Sequence, residues 1–271
     1  MSTVKVAICQ MIVTDNKMKN IVKAEEMIVK ASEKGAKLVV LPEMFNCPYD
    51  KKYFAEFAES YPCGCTIKML SKVSKENKIY LIGGSIPERD SEGRIYNSSF
   101  IFDSNGNLIG KHRKIHLFDI DIEGKIKFKE SDTLHGGNDI TVFNTEYGKI
   151  GVAICYDIRF PELIRLMVLN GAEIIVIPAA FNMTTGPAHW ETLFKCRALD
   201  NQVYMLGCAP ARNVNAFYIS YGNSIITDPW GCVIGRLGEE EGILIQDLNL
   251  DRIKRVRAEL PLLKHRRTDV Y

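Results

Sequence analysis

Four polar residues stand where this chain could carry chemistry. Cys155 lies in Gly-Val-Ala-Ile-Cys155-Tyr-Asp-Ile-Arg-Phe-Pro-Glu162, at the end of an apolar run and just before a helix-like segment that opens with Pro161. A thiol at such a junction is expected close to backbone N–H groups and the helix field, both of which favour a thiolate. An ordinary cysteine titrates at about 8.5, and each unit of depression favours the thiolate by roughly 1.4 kcal/mol. The same position also suits an inert buried thiol, a common fate for the residue. Glu43 ends the apolar run Leu38–Leu41 and is flanked by Pro42, Met44 and Phe45. Desolvation there would raise its pKa and suit it to general-base work, although a Glu at a loop start often faces water. Lys114 sits among Lys111, His112 and Arg113 but is followed by Ile115, Leu117 and Phe118. If anchored by those neighbours it is a fixed ammonium for an oxyanion; if not, it is one more solvated cation. Glu130, in Phe128-Lys-Glu-Ser-Asp132, is anonymous by itself. Together the residues offer a nucleophile, a base and a cation, the set that acyl transfer through cysteine requires. Spacing alone does not show that they meet.

The elements that would position them follow from periodicity. Val4–Cys9 alternates as a strand does, and Ile21, Ala24, Ile28 and Ala31 fall at helical spacing in a segment from about Asn16 to Lys34 that Gly35 ends. Leu38–Leu41 is wholly apolar and reads as a central strand. A helix from about Thr66 to Glu76 leads to a strand at 79–82 and the Gly83-Gly84 turn; strands at 96–102 and 108–110 are joined through Asn105-Gly106, a strong hairpin signal. Residues 112–138, rich in Lys, His, Asp and Gly, read as a long loop with short pieces of structure, and such loops are often functional. Strands are expected at 140–143 and 150–154, a helix from Pro161 to about Asn170, a strand at 173–177, a helix at about 187–199 and a strand at 203–208. Further strands are expected at 219–228, 232–237 and 243–248, before a basic C-terminal helix. Strands alternating with helices, with hairpins inserted, predict one layered α/β domain over residues 1–271 with mixed sheets.

Composition narrows the class. The chain has 271 residues, 46% of them hydrophobic, enough for a sizeable core. Lys plus Arg is 35 and Asp plus Glu is 33, a net charge of +2, so no broad cationic surface for nucleic acid is expected. The basic stretch from Arg252 to Arg267 reads as a solvated helix face and tail, or as a surface packed against another subunit. The N-terminus lacks a signal-peptide pattern and no run reaches the 18 or so apolar residues of a membrane span. With eight cysteines, several in apolar settings, a reducing, cytoplasmic location is expected, and a mitochondrial pool is left open. Cys63-Gly-Cys65 is too closely spaced for a usual zinc half-site.

Three separated segments, Leu-Pro-Glu43-Met-Phe, Arg-Lys114-Ile-His-Leu-Phe and Gly-Val-Ala-Ile-Cys155-Tyr-Asp-Ile-Arg-Phe-Pro-Glu, make the chain similar over essentially its full length to the nitrilase superfamily of carbon–nitrogen hydrolases. The resemblance implies a four-layer α-β-β-α sandwich, usually dimeric, and matches Glu43, Lys114 and Cys155 to the catalytic glutamate, lysine and nucleophile. Glu130 matches the second glutamate, which positions the lysine and the substrate. Within the superfamily the run His116–Ser131 most resembles the omega-amidase branch, whereas Phe181–Trp190 is shared with the branch that hydrolyses deaminated glutathione. His112 stands where a Tyr is more usual, with little effect on chemistry expected.

The implied reaction is cysteine attack on a terminal amide, with Glu43 as base and then acid, the Lys114 ammonium and the Tyr156 N–H on the oxyanion, and a thioester intermediate hydrolysed by water; no cofactor or metal is needed. The implied substrates are small amides of 2-oxo dicarboxylic acids, 2-oxoglutaramate and 2-oxosuccinamate, whose far carboxylate calls for a cation. Arg159 and Arg212 are the candidates, although Arg159 is also placed to pair with Asp157 or Glu162. Tyr49, Phe181, Thr184 and Thr185 are expected to wall the pocket. The alternatives are a deaminated-glutathione amidase, another amidase or nitrile hydrolase of the superfamily, and a binding protein whose pocket no longer turns over. No nucleic-acid or membrane partner is expected, and a homodimer is.

Overall fold

Val4, Val6 and Ile8 alternate with Ala7 and Cys9 along the first strand, and both sets are buried. Successive strand residues point to opposite faces, so a strand apolar on both must lie in a sheet covered on both sides. The computed structural model describes residues 3–124 and 126–270; the first two residues of the N-terminal reading and Lys125 of the long loop lie outside it. The first half of the chain runs β1 (Thr3–Gln10), α1 (Lys17–Glu33), β2 (Leu38–Val40), α2 (Lys51–Phe57), α3 (Cys65–Asn77), β3 (Tyr80–Ile82), β4 (Ile86–Arg89), β5 (Ile95–Phe102) and β6 (Leu108–Arg113). Then come β7 (Asp119–Ile122), β8 (Ile126–Lys129), β9 (Thr141–Thr145), β10 (Gly148–Val152), α4 (Pro161–Leu169), β11 (Ile174–Pro178), α5 (Gly186–Asn201) and β12 (Tyr204–Cys208). The chain ends with β13 (Ile225–Thr227), β14 (Val233–Arg236), β15 (Gly242–Asn249) and α6 (Asp251–Glu259).

Two mixed sheets result. In the first, β1 pairs antiparallel with β15 and parallel with β2, and β2 pairs parallel with β3. β3 and β4 lie end to end along one edge of β5, whose other edge takes β6. The second sheet has the order β14-β13-β12-β11-β10-β9, with β10, β11 and β12 parallel and the outer pairs antiparallel. Val4, Val6, Ile8, Leu38 and Val40 of the first sheet meet Ile150, Val152, Ile174, Val176 and Leu206 of the second. The first sheet's opposite face buries Ala7, Cys9, Val39 and Leu81 under α1 and α3; the second's buries Ile175, Ile177 and Met205 under α4 and α5. The order of layers is α-β-β-α, as expected. Among the described residues no helix is long and apolar enough to cross a membrane.

Local signals set the boundaries. The Asn16 side chain accepts the Lys19 N–H (2.9 Å) and caps α1, and Gly35 turns away from it at a φ of 86°. Two elements go beyond the sequence reading. Helix α2 is only seven residues long, opened by an Asp50 cap, and its four charged or polar positions hide its period; β4 carries Pro87, which argues against a strand. The segment 112–138 holds the end of β6, the β7–β8 hairpin and a 3-10 turn at Glu130–Asp132. The strand expected at 219–228 shortens to β13, because Gly222 and Asn223 take positive φ and break the ladder. The basic C-terminal helix stops at Glu259.

Ile8 is fully buried between the sheets. Ile8→Ala should therefore cost about 2–5 kcal/mol of stability in urea-denaturation midpoints; a cost below about 0.5 kcal/mol would contradict the two-sheet packing.

Candidate active site

Glu43 leaves the end of β2 in a loop that the Gly83–Ser85 break holds. Ser85 donates its N–H to the Pro42 carbonyl (3.2 Å), its hydroxyl oxygen accepts the Met44 N–H (3.0 Å), and its carbonyl accepts the Phe45 N–H (3.2 Å). Gly84 is obligatory here: at a φ of 53°, any Cβ would lie 2.1 Å from the Pro42 oxygen. Lys114 follows β6 directly, its N–H on the Asn97 carbonyl (2.8 Å) and its carbonyl on the Gly137 N–H (2.8 Å). Glu130 sits at the foot of the β7–β8 hairpin. Cys155 opens a 3-10 turn, Cys155–Arg159, between β10 and α4, at a φ of 47°. A non-glycine residue in that region is strained, and such strain gathers at functional sites.

These four side chains, from two sheets and a hairpin, converge. The Lys114 ammonium is fully buried and donates to Glu43 Oε1 (3.0 Å), to Glu130 (2.9 Å to Oε2 and 3.0 Å to Oε1) and to the Tyr49 hydroxyl (3.2 Å). Glu130 also accepts the Tyr49 O–H (2.6 Å) and the Phe118 N–H (2.7 Å). Glu43 is held by the Asn97 amide (2.8 Å on Oε1) and by the Ala180 N–H (2.7 Å on Oε2). Lys114 and Glu43 are thus not the solvated residues that their neighbours allowed. A cavity of about 430 Å³ opens beside Glu43, Tyr49 and Tyr218, with Asp50, Asn213 and Phe217 on its walls.

Electrostatics assigns protonation. Burial pulls the Lys114 pKa down, but Glu130, Glu43 and Cys155 outweigh it, so the group remains an ammonium. Burial raises the Glu43 pKa and nearby Glu130 adds to this, against the pull of Lys114. The Cys155 thiol corrects an expectation. Burial first, then the charge of Glu43, push its pKa well above the ordinary value, with Lys114 opposing; a side-chain hydrogen bond to Glu43 pushes the same way. The strand–helix junction does not make a free thiolate here, because a 3-10 turn intervenes before α4 and two carboxylates face the sulfur. A sulfur nucleophile here would have to lose its proton during attack, and Glu43 is the group beside it with raised proton affinity.

Of the other predicted residues only Tyr49 lines that cavity; Phe181, Thr184 and Thr185, expected to wall it, and Tyr156, Arg159 and Arg212 lie outside its lining. Tyr49 belongs to the hydrogen-bonded cluster itself and packs on Tyr218 (ring centroids 4.6 Å apart). The Tyr156 ring stands edge-on to Phe118 (5.2 Å). The Arg159 guanidinium lies over Phe181 (4.8 Å) and Tyr156 (5.6 Å), is hydrogen-bonded to His189, and keeps a buried Nε without a hydrogen-bond partner among the described residues. Thr184 and Thr185 donate their N–H groups to Asn182 Oδ1 (2.9 Å each) at the start of α5. Arg212 pairs with Glu239 and donates to the Tyr221 carbonyl. Asn97, Tyr218 and Asp157 were missed in the sequence. The signal for Asn97 was there: Asn97-Ser98-Ser99 interrupts an otherwise apolar strand, and all three are buried.

The Carbon-nitrogen hydrolase family description matches residues 5–258. The chain belongs to that family. This carbon–nitrogen hydrolase is 50% identical over its full 271 residues to the omega-amidase NIT2 of Xenopus tropicalis, covering 98% of that protein. It is 46% identical to omega-amidase NIT2 of Homo sapiens over the same span, again 98% of the relative. The crystal structure of Saccharomyces cerevisiae Nit3, a member of branch 10 of the nitrilase superfamily, superposes with a TM-score of 0.91 at 43% identity, over 98% of this chain and 97% of that one.

A raised Glu43 pKa has a testable sign. If Glu43 is the base it must be unprotonated to act, so kcat/KM should fall toward acid through a midpoint above the ordinary glutamate value of about 4.3. Glu43→Gln should lower kcat by about 100- to 10,000-fold. An acid limb at or below about 4.3 would remove Glu43 as the base.

Proposed function

We propose that this carbon–nitrogen hydrolase is an omega-amidase, hydrolysing the terminal amide of 2-oxoglutaramate or 2-oxosuccinamate to the dicarboxylic acid and ammonia. The observation that carries the reading is the buried Cys155–Glu43–Lys114–Glu130 cluster, in a chain 46–50% identical over its length to proteins of that activity. Sulfur attacks the amide carbon as Glu43 takes the thiol proton, and the oxyanion forms against the Lys114 ammonium and the Tyr156 N–H. Protonated Glu43 gives its proton to the departing nitrogen, leaving a thioester and ammonia. Glu43 then takes a proton from water, whose oxygen attacks the thioester, and the thiol is restored. Glu130 and Tyr49 keep the ammonium in place.

For the far carboxylate we propose Arg159, whose guanidinium is seated over the Phe181 ring and carries no carboxylate partner among the described residues. Arg212 is the weaker candidate, since Glu239 already pairs with it. The assembly proposed is a homodimer, and the exposed Leu166, Leu169 and Leu199 of the α4–α5 layer, with Trp230 of the β13–β14 turn, support it. Sedimentation giving a monomer at micromolar concentration would count against that assembly. The location proposed is the cytoplasm, which the free state of all eight cysteines suits.

Ammonia release from 2-oxoglutaramate tests the chemistry. Cys155→Ala should be inactive, and Lys114→Ala should lose about 100- to 1,000-fold in kcat through the missing oxyanion donor. Full activity of Cys155→Ala would overturn the mechanism. A kcat/KM ranking with deaminated glutathione above 2-oxoglutaramate would overturn the substrate.

A further inference from the structure

Lys114 and Cys155 come from different sheets. Lys114 follows β6 on the edge of the first, and Cys155 follows β10 in the second. Between the sheets lie mainly apolar side chains. Such packing fixes a spacing, but a reacting centre needs its oxyanion donor placed more tightly, since a misplacement of about 1 Å costs about 100-fold in rate. A polar contact crosses the seam beside the site, made by residues that take no part in the mechanism above.

Asp157, two residues after Cys155, is fully buried. Its Oδ1 accepts the His116 backbone N–H (2.9 Å) and the His116 Nδ1–H (2.8 Å); its Oδ2 accepts the His112 Nε2–H (3.1 Å) and the Ile154 N–H (3.0 Å). A carboxylate has about four lone-pair sites, so this one is filled. Three of its donors belong to His112 and His116, which stand two residues on either side of Lys114. The fourth is the N–H of the residue before Cys155. His112 is itself fully buried, its Nδ1 3.0 Å from Thr141 Oγ1 on β9, and His116 lies flat on Phe160 with ring centroids 3.6 Å apart. Each flank of the lysine is therefore tied to the nucleophile's turn through one side chain.

The geometry points to His112, Asp157 and His116 as a clasp across the seam, positioning residues that set the Lys114 ammonium against the Cys155 sulfur. His112 thus has a role at the site, beyond the neutral substitution that the sequence implied. The clasp touches no substrate atom and moves no proton. Its effect is on how closely the oxyanion donor meets the developing charge, and so on kcat rather than KM. A saturated carboxylate suits such a role, since it has one geometry in which all its donors are met. Asp157 is held ionised by the two imidazoles and the Ile154 N–H, even though burial opposes the charge. The inference rests on the roles given above to Cys155 and Lys114.

The decisive experiment compares the full chain with His112→Leu, His112→Gln and Thr141→Val. It measures kcat and KM on 2-oxoglutaramate per folded molecule, the thermal midpoint, and the rate at which iodoacetamide alkylates Cys155, read on the Cys155 peptide by mass spectrometry. His112→Leu keeps bulk and removes both ring nitrogens; its kcat should fall about 10- to 100-fold, with KM within about twofold and slower alkylation. His112→Gln, which can still donate to Asp157, should recover part of the loss. Thr141→Val takes away only a hydrogen-bond partner of His112 and should move kcat the same way by less, which keeps the comparison available if His112→Leu fails to fold. Variants that melt earlier yet keep wild-type kcat and alkylation rates would overturn the clasp and leave a brace for the fold. A wild type that releases no ammonia would overturn the functional reading instead, and the alkylation rates would still decide on the clasp.

Discussion

A fully buried ammonium between two carboxylates governs this site. Taking a single charge out of water costs several kcal/mol even after relaxation, and removing one partner of a buried pair costs about 3–5 kcal/mol. Lys114 is tolerated because Glu43, Glu130 and Tyr49 surround it, and each of those must in turn be satisfied. Glu130 takes the Phe118 N–H, Glu43 takes the Asn97 amide and the Ala180 N–H, and Tyr49 is walled by Tyr218, Phe128 and Phe54. The requirement spreads outward from one nitrogen until it reaches β2, β5, β11 and the hairpin. A buried ion cluster is weak evidence for stability; here it is a preorganised electrostatic environment kept for chemistry.

The layers of the fold were legible because period-two and period-3.6 patterns record which faces are covered. Val4–Cys9 and Ile21–Ala31 carry that record plainly, and both elements lie where their patterns place them. The site was legible mainly through its matched segments, and one physical reason is the company that Lys114 keeps. Lys111, His112 and Arg113 look like a solvated basic cluster, yet Lys111 and Arg113 both end on buried Glu88, and His112 ends on Asp157. The acids that neutralise the run lie 23 to 45 residues away in sequence, so no local window reveals that it is buried. The thiol was misread for a related reason. A strand–helix junction suggests a helix field, but the carboxylates that face Cys155 come from elements distant in the chain.

That the reacting groups are divided between two sheets has an energetic meaning. Apolar burial between the sheets is strong but non-directional, whereas hydrogen bonds to carboxylates weaken steeply with distance and angle. The Glu43–Ala180 bond and the Asp157 bonds cross the same seam. They convert a tolerant interface into a site with one geometry. The strain held at Cys155 is sustained by that same convergence.

The β7–β8 hairpin is closed at its own foot. Phe118 donates its N–H to the Glu130 carboxylate, and Glu130 returns its N–H to the Phe118 carbonyl (3.3 Å). Within the excursion Phe128 turns inward on the cluster, its ring packed against Tyr49 with centroids 5.5 Å apart; the exposed residues of the hairpin lie outside the pin that the two backbone groups set. Its outer residues can drift in sequence and charge, and so alter what the molecule presents around its pocket, while the carboxylate at the base keeps its grip on the lysine.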